Sequence, residues 1–106
     1  MRESSFQSQL IRELESMFKG CVIFKTDPRY MQGFPDLMIL YNDKWAALEC
    51  KKKDGAHQQP NQAYYVEMLN KMSFSRFISP DNKKEVLDDL QRTFESGRPT
   101  RLPGSK

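Results

Sequence analysis

Apolar residues recur at three- and four-residue intervals over 4–19, with Phe6, Leu10, Leu14, Met17 and Phe18 on one side. That spacing predicts an amphipathic helix, with Ser4 or Ser5 placed to cap its start and Gly20 to end it. The pattern then changes to short runs of β-branched, aromatic and aliphatic residues: CVIFK at 21–25, LMILY at 37–41 and WAALECK at 45–51. Asn42-Asp43 between the last two marks a tight turn, so these runs predict a hairpin. Segments 26–35 and 52–60 are rich in proline, glycine and polar residues and read as loops. Helical spacing returns at 61–71 through Tyr65, Met68 and Leu69, and FSRFI at 74–78 reads as a strand. A last helix is predicted from Asn82 to about Ser96. Val86, Leu87, Leu90 and Phe94 form its apolar face, and Asn82 with Glu85 forms a capping box. The remaining ten residues, GRPTRLPGSK at 97–106, have no apolar period and are expected to be a disordered tail. The order αβββαβα predicts an α/β fold: a mixed sheet flanked by helices, in one domain spanning 1–96.

Composition narrows the class without naming a function. A length of 106 residues suits one domain, and 38% hydrophobic with 29% charged residues suffices for a core. No apolar run approaches the eighteen or so residues that span a bilayer. The opening MRESSFQSQL lacks the apolar stretch of a signal peptide, so a cytoplasmic protein is expected (the host cytoplasm if phage-encoded). Cys21 and Cys50 are too few for a disulfide framework and are expected as reduced thiols. The net charge of +3 is mild, but Lys51, Lys52 and Lys53 are consecutive. Such a run is as often a solvated loop as a phosphate-binding patch, and its neighbours decide between the two.

Those neighbours are acids at strand ends. With Asn42 and Asp43 as the turn, Tyr41 pairs with Lys44, and facing positions across the hairpin sum to 85. Asp36 and Glu49 also sum to 85. The two carboxylates therefore face each other, with Cβ atoms about 4.5–5.5 Å apart, an arrangement that is destabilising unless positive charge intervenes. Alternation adds Lys51 to the face of Glu49 and turns Cys50 away. A hard divalent cation suits this group, since Mg²⁺ is commonly held by one or two carboxylates, waters and a substrate phosphate. The implied chemistry is phosphodiester hydrolysis by a metal-activated water, with Lys51 orienting the water or offsetting developing charge. The competing reading makes Asp36 a turn cap after Pro35 and leaves Glu49 and Lys51 facing solvent.

Pro35-Asp36 followed by Glu49-x-Lys51, in an αβββαβ order, resembles the PD-(D/E)XK nuclease signature. Three stretches, RESSFQSQLIREL, GFPDL and ECKKKDGAHQQPNQAYYVEML, are similar to the small stand-alone VRR-NUC nucleases of phages and bacteria, over about residues 2–80. That resemblance implies a metal-dependent site built by Glu3, Asp36, Glu49, Lys51 and Gln62. Mg²⁺ would be held by Glu3, Asp36, Glu49 and the backbone carbonyl of Cys50, with Mn²⁺ able to substitute. Cys50 stands where the family more often has an aliphatic residue. If the first helix extends back to Glu3, then Glu3, Gln7, Leu10 and Leu14 share the face that packs on the sheet. His57, the single histidine, is expected as an exposed loop residue, and it is too few for a histidine-based nuclease motif.

The resemblance further implies an endonuclease acting on branched DNA such as a Holliday junction. Symmetric cutting of a four-way junction needs two active sites, which a homodimer supplies. The last helix, or Phe74 and Phe77, is the expected dimer face. Arg29, Lys52, Lys53, Lys83 and Lys84 are the candidate phosphate contacts; such contacts position the backbone without reading bases. An exonuclease or nickase on the same fold, and a non-catalytic DNA-binding module, are the alternatives.

Overall fold

The computed structural model describes residues 3–96, except the side chain of Glu3. The expected tail at 97–106 lies outside the described residues. Seven elements follow in the anticipated order: α1 (Glu3–Met17), β1 (Val22–Lys25), β2 (Leu37–Tyr41), β3 (Lys44–Cys50), α2 (Gln62–Met72), β4 (Ser75–Ile78) and α3 (Lys83–Phe94). The four strands form one mixed sheet in the order β1-β2-β3-β4, with β1 to β3 antiparallel and β4 parallel to β3. Among the described residues no helix is long and apolar enough to cross a membrane.

The hairpin register follows from a two-residue turn. Tyr41 faces Lys44 and Leu37 faces Leu48, so facing positions sum to 85. Asn42 takes a left-handed φ of 58°, which asparagine tolerates better than most residues. β3 lies between β2 and β4, and Ala46 through Cys50 are all buried. Its side chains on both faces are covered, which is why its sequence is a continuous apolar run broken only by Glu49.

One face of the sheet carries the main core. Phe6, Leu10, Leu14 and Phe18 from α1 and its C-terminal turn meet Leu37, Ile39, Ala46, Leu48, Cys50 and Ile78. Val86, Leu87, Leu90 and Phe94 of α3 close the same layer. Rings of Phe18, Tyr41 and Phe94 meet at centroid distances of 5.1–5.6 Å and join α1, β2 and α3. The expected dimer face is thereby corrected. The apolar stripe of α3 and Phe74 are buried within this chain, and Phe77 is half-buried. α2 packs on the opposite face, over β3 and β4.

Two helix starts also differ from expectation. α1 reaches back to Glu3, so Ser4 and Ser5 lie within the helix rather than at its cap. At α3, Asn82 makes no side-chain bond to the helix. Its amide oxygen instead accepts from Ser79 N at 2.8 Å and its amide nitrogen donates to the Phe77 carbonyl at 3.1 Å. The side chain thus tethers α3 to the end of β4, and the capping box does not form.

Candidate active site

The end of β1, the start of β2 and the ends of β3 and β4 meet at one edge of the sheet, because β2 alone runs the other way. Asp36 immediately precedes β2, and the hairpin register carried one step further sets it opposite Glu49. Its Oδ1 accepts from Cys50 N at 3.1 Å. Asp36 therefore does bind a backbone group, as the competing reading expected, but the group it binds is at the end of β3.

Glu49 and Lys51 do not face solvent. Glu49 is 5% exposed and Lys51 9%, under the first turn of α2. Gln62, the first residue of that helix, stands between them. Its Nε2 donates to Glu49 Oε2 at 2.9 Å, and its Oε1 accepts from Lys51 Nζ at 2.7 Å and from Gln59 N at 2.8 Å. The partners fix the amide orientation, since only the oxygen can face two donors and only the nitrogen can face a carboxylate. Lys51 Nζ also donates to the His57 carbonyl at 3.0 Å and lies 3.9 Å from Glu49 Oε2. The loop 52–60 thus folds back to hold the lysine with one of its own carbonyls.

A cleft of about 650 Å³ opens above this group, lined by Ser4, Glu49, Lys51, Lys52, His57 and Gln62 among others. Ser4 brings the first turn of α1 to the cleft, which is where the extension of α1 back to Glu3 matters. The side chain of Glu3 lies outside the described residues. Gln7, one turn further on, hydrogen-bonds the Cys50 thiol. Burial, followed by the nearby Asp36 carboxylate and then Glu49, pushes that thiol's pKa well above the ordinary range, against the Gln7 bond. Cys50 is thus a core thiol that meets the Asp36 carboxylate directly, while Glu49, its neighbour in β3, points to the other face of the sheet.

Among the described residues no group of three or more histidine, cysteine or acidic side chains is arranged to hold a metal ion. Among the described side chains, the candidate acids at this strand end are Asp36 and Glu49. The candidate phosphate contacts divide. Lys52 and Lys53 are exposed without an ion-pair partner among the described residues, and Lys52 borders the cleft. Arg29 is held by Asp27, Lys83 by Glu13 at 2.8 Å and Lys84 by Asp88 at 3.1 Å. His57 is exposed as expected, but the role of its carbonyl was not visible in the sequence. A loop carbonyl carries no residue-type signal, so only the fold of 52–60 reveals it.

Comparison of the chain with family models, curated proteins and solved structures finds no match.

Proposed function

We propose that the chain is a Mg²⁺-dependent DNA endonuclease of the PD-(D/E)XK class, similar to the stand-alone VRR-NUC proteins. Its substrate would be branched DNA such as a Holliday junction, cut by a homodimer. The observation that carries the reading is the buried Glu49–Gln62–Lys51 chain beneath an open cleft, with Asp36 at the adjoining strand end. A buried acid and base held by a shared amide at a cleft floor are unusual for a purely structural strand end.

The donor set fits a hard divalent ion. Two carboxylates at adjoining strand ends match the protein share of a Mg²⁺ site whose remaining ligands are waters and phosphate oxygens. Asp36 and Glu49 would hold the ion, with the Cys50 carbonyl and Glu3 as further candidates. When bound, such an ion polarises the phosphoryl group and makes an attacking hydroxide accessible at neutral pH. Gln62 fixes the Glu49 carboxylate and the Lys51 ammonium relative to each other. Contacts among the described residues engage two of the three ammonium protons, so a third can meet a phosphoryl oxygen or the attacking water. Lys52 at the cleft rim adds positive charge where the DNA backbone would approach.

The test is incubation of junction, flap, nicked-circle and linear DNA with and without Mg²⁺ or Mn²⁺. Metal-dependent cutting of branched DNA is expected, and an exonuclease would leave closed circles untouched. Asp36→Asn and Glu49→Gln should abolish cutting while circular dichroism stays unchanged. Lys51→Ala should slow it by about a hundredfold or more. Wild-type rates from Asp36→Asn would refute the assignment.

A further inference from the structure

The sheet face that carries the candidate site is only half covered. α2 lies over β3 and β4, while on β1 and β2 the side chains of Val22, Phe24 and Leu40 remain 39–55% exposed. At the candidate site's end of this face, Phe24, Thr26, Tyr30, Met31 and Phe34 line a groove of about 340 Å³.

The groove and the acids belong to one row. Lys25 faces Leu37 in the β1–β2 register, so the next position, Thr26, falls opposite Asp36, as Asp36 does opposite Glu49. Thr26 N donates to the Asp36 carbonyl at 3.0 Å, which confirms that step. The groove thus begins two strand spacings, about 10 Å, from the end of β3.

Its most prominent ring is held out in water. Tyr30 is 89% exposed, yet the turn beneath it is tightly tied. Tyr30 N donates to the Asp27 carbonyl at 3.0 Å. The Asp27 carboxylate accepts from Arg29 N at 2.9 Å and from the Arg29 guanidinium at 3.1 and 3.0 Å. The Arg29 fork also holds Asp27 below the usual carboxylate range, so its charge is present at neutral pH and matched by Arg29. Lys25 also borders the groove, but it alternates with Phe24 and pairs with Leu37 of the main core, so its side chain leaves the sheet on the opposite face. On the far wall, Phe34 meets Tyr65 of α2 edge-on at 5.5 Å, which fixes that ring.

We propose that this groove receives an unpaired nucleobase of the strand to be cut, stacked on Tyr30 and the neighbouring rings. The strand's phosphates would run from Thr26 along the row towards Asp36 and Lys51. The inference rests on the nuclease reading and deepens it, because a base inside an intact duplex cannot enter and one beside a branch point can. Aromatic faces accept any base, which suits selection by DNA structure rather than sequence. A second copy of the chain is the other candidate occupant. The shared row with Asp36 favours DNA.

The experiment uses a DNA hairpin with a single-stranded arm carrying 2-aminopurine at successive positions near the branch, and the same sequence fully paired. Binding is measured in EDTA with the full chain. Wild type should quench 2-aminopurine at one or two arm positions. Tyr30→Ala, at a position 89% exposed and outside the core, should lose that quench and bind the armed DNA about tenfold more weakly. It should bind the paired control as wild type does, and Tyr30→Phe should restore both signals. Equal weakening on both DNAs, or no weakening, overturns the proposal. So does sedimentation showing that Tyr30→Ala dissociates a dimer, which would assign the groove to a second copy. Quenching without Mg²⁺-dependent cutting would sink the nuclease reading and leave the groove. Cutting with no effect of Tyr30→Ala would do the reverse.

Discussion

Gln62 presents opposite ends of one amide to opposite charges, and this makes it the residue on which the candidate site most depends. Alanine at that position removes the donor facing Glu49 and the acceptor facing Lys51 and Gln59 N, in a place where water has little access. Gln62→Ala should therefore lower stability by about 1–3 kcal/mol, measured by urea unfolding. It should also slow metal-dependent cutting, because the lysine loses one of its two fixed acceptors. Gln62→Glu would set a second carboxylate against Glu49 and should be worse at neutral pH than Gln62→Ala. Stability unchanged in both variants would mean that the amide is replaceable by water. Gln62 was singled out in the sequence, but among Gln58, Gln59 and Gln62 only burial separates it. The other two are exposed, and the Gln59 contribution is its backbone N–H.

Among the elements, the approach to β2 is the most tightly specified. Gly33 has a φ of +90°, and a Cβ built there would lie 2.7 Å from Asn61 Cβ and 2.8 Å from the Pro60 carbonyl oxygen. The loop that delivers Asp36 is thus pressed against the chain just before α2, which delivers Gln62. Gly33→Ala meets both a left-handed backbone and a backbone oxygen, and should cost about 2 kcal/mol or more in thermal or urea unfolding. It should also impair cutting by spreading the two approaches apart. A fully stable Gly33→Ala would show that the contact is not tight in solution. The Gly33-Phe34-Pro35 sequence already marked a fixed turn here, yet nothing in it points to Asn61, twenty-eight positions away. The hairpin was more legible, since turn length and two-residue alternation together set its register. The capping box at α3 was not, because Asn82 bonds local backbone groups outside the helix, as asparagine often does.

Among the described residues, Lys52 borders the cleft without an ion-pair partner, whereas Lys83 and Lys84 are paired. DNA affinity should fall linearly on a log–log plot against salt, and Lys52→Ala should reduce the slope by about one. Lys83→Ala and Lys84→Ala, whose ammonium groups are already held by Glu13 and Asp88, should change it less. Equal slopes for all three variants would count against Lys52 as the rim contact. The sequence by itself determined the order of elements, the hairpin register and the facing of Asp36 and Glu49. These follow from local periodicity and turn length, which adjacent residues fix without help from the rest of the chain. Tertiary structure decided that Glu49 and Lys51 are buried and that Gln62 and the His57 carbonyl hold them. It also decided that α3 spends its apolar stripe inside the protomer and that one half-face of the sheet stays open. Each of these depends on how α2, α3 and the loop 52–60 return onto the sheet, and such long-range packing leaves no periodic trace in the residues that take part in it.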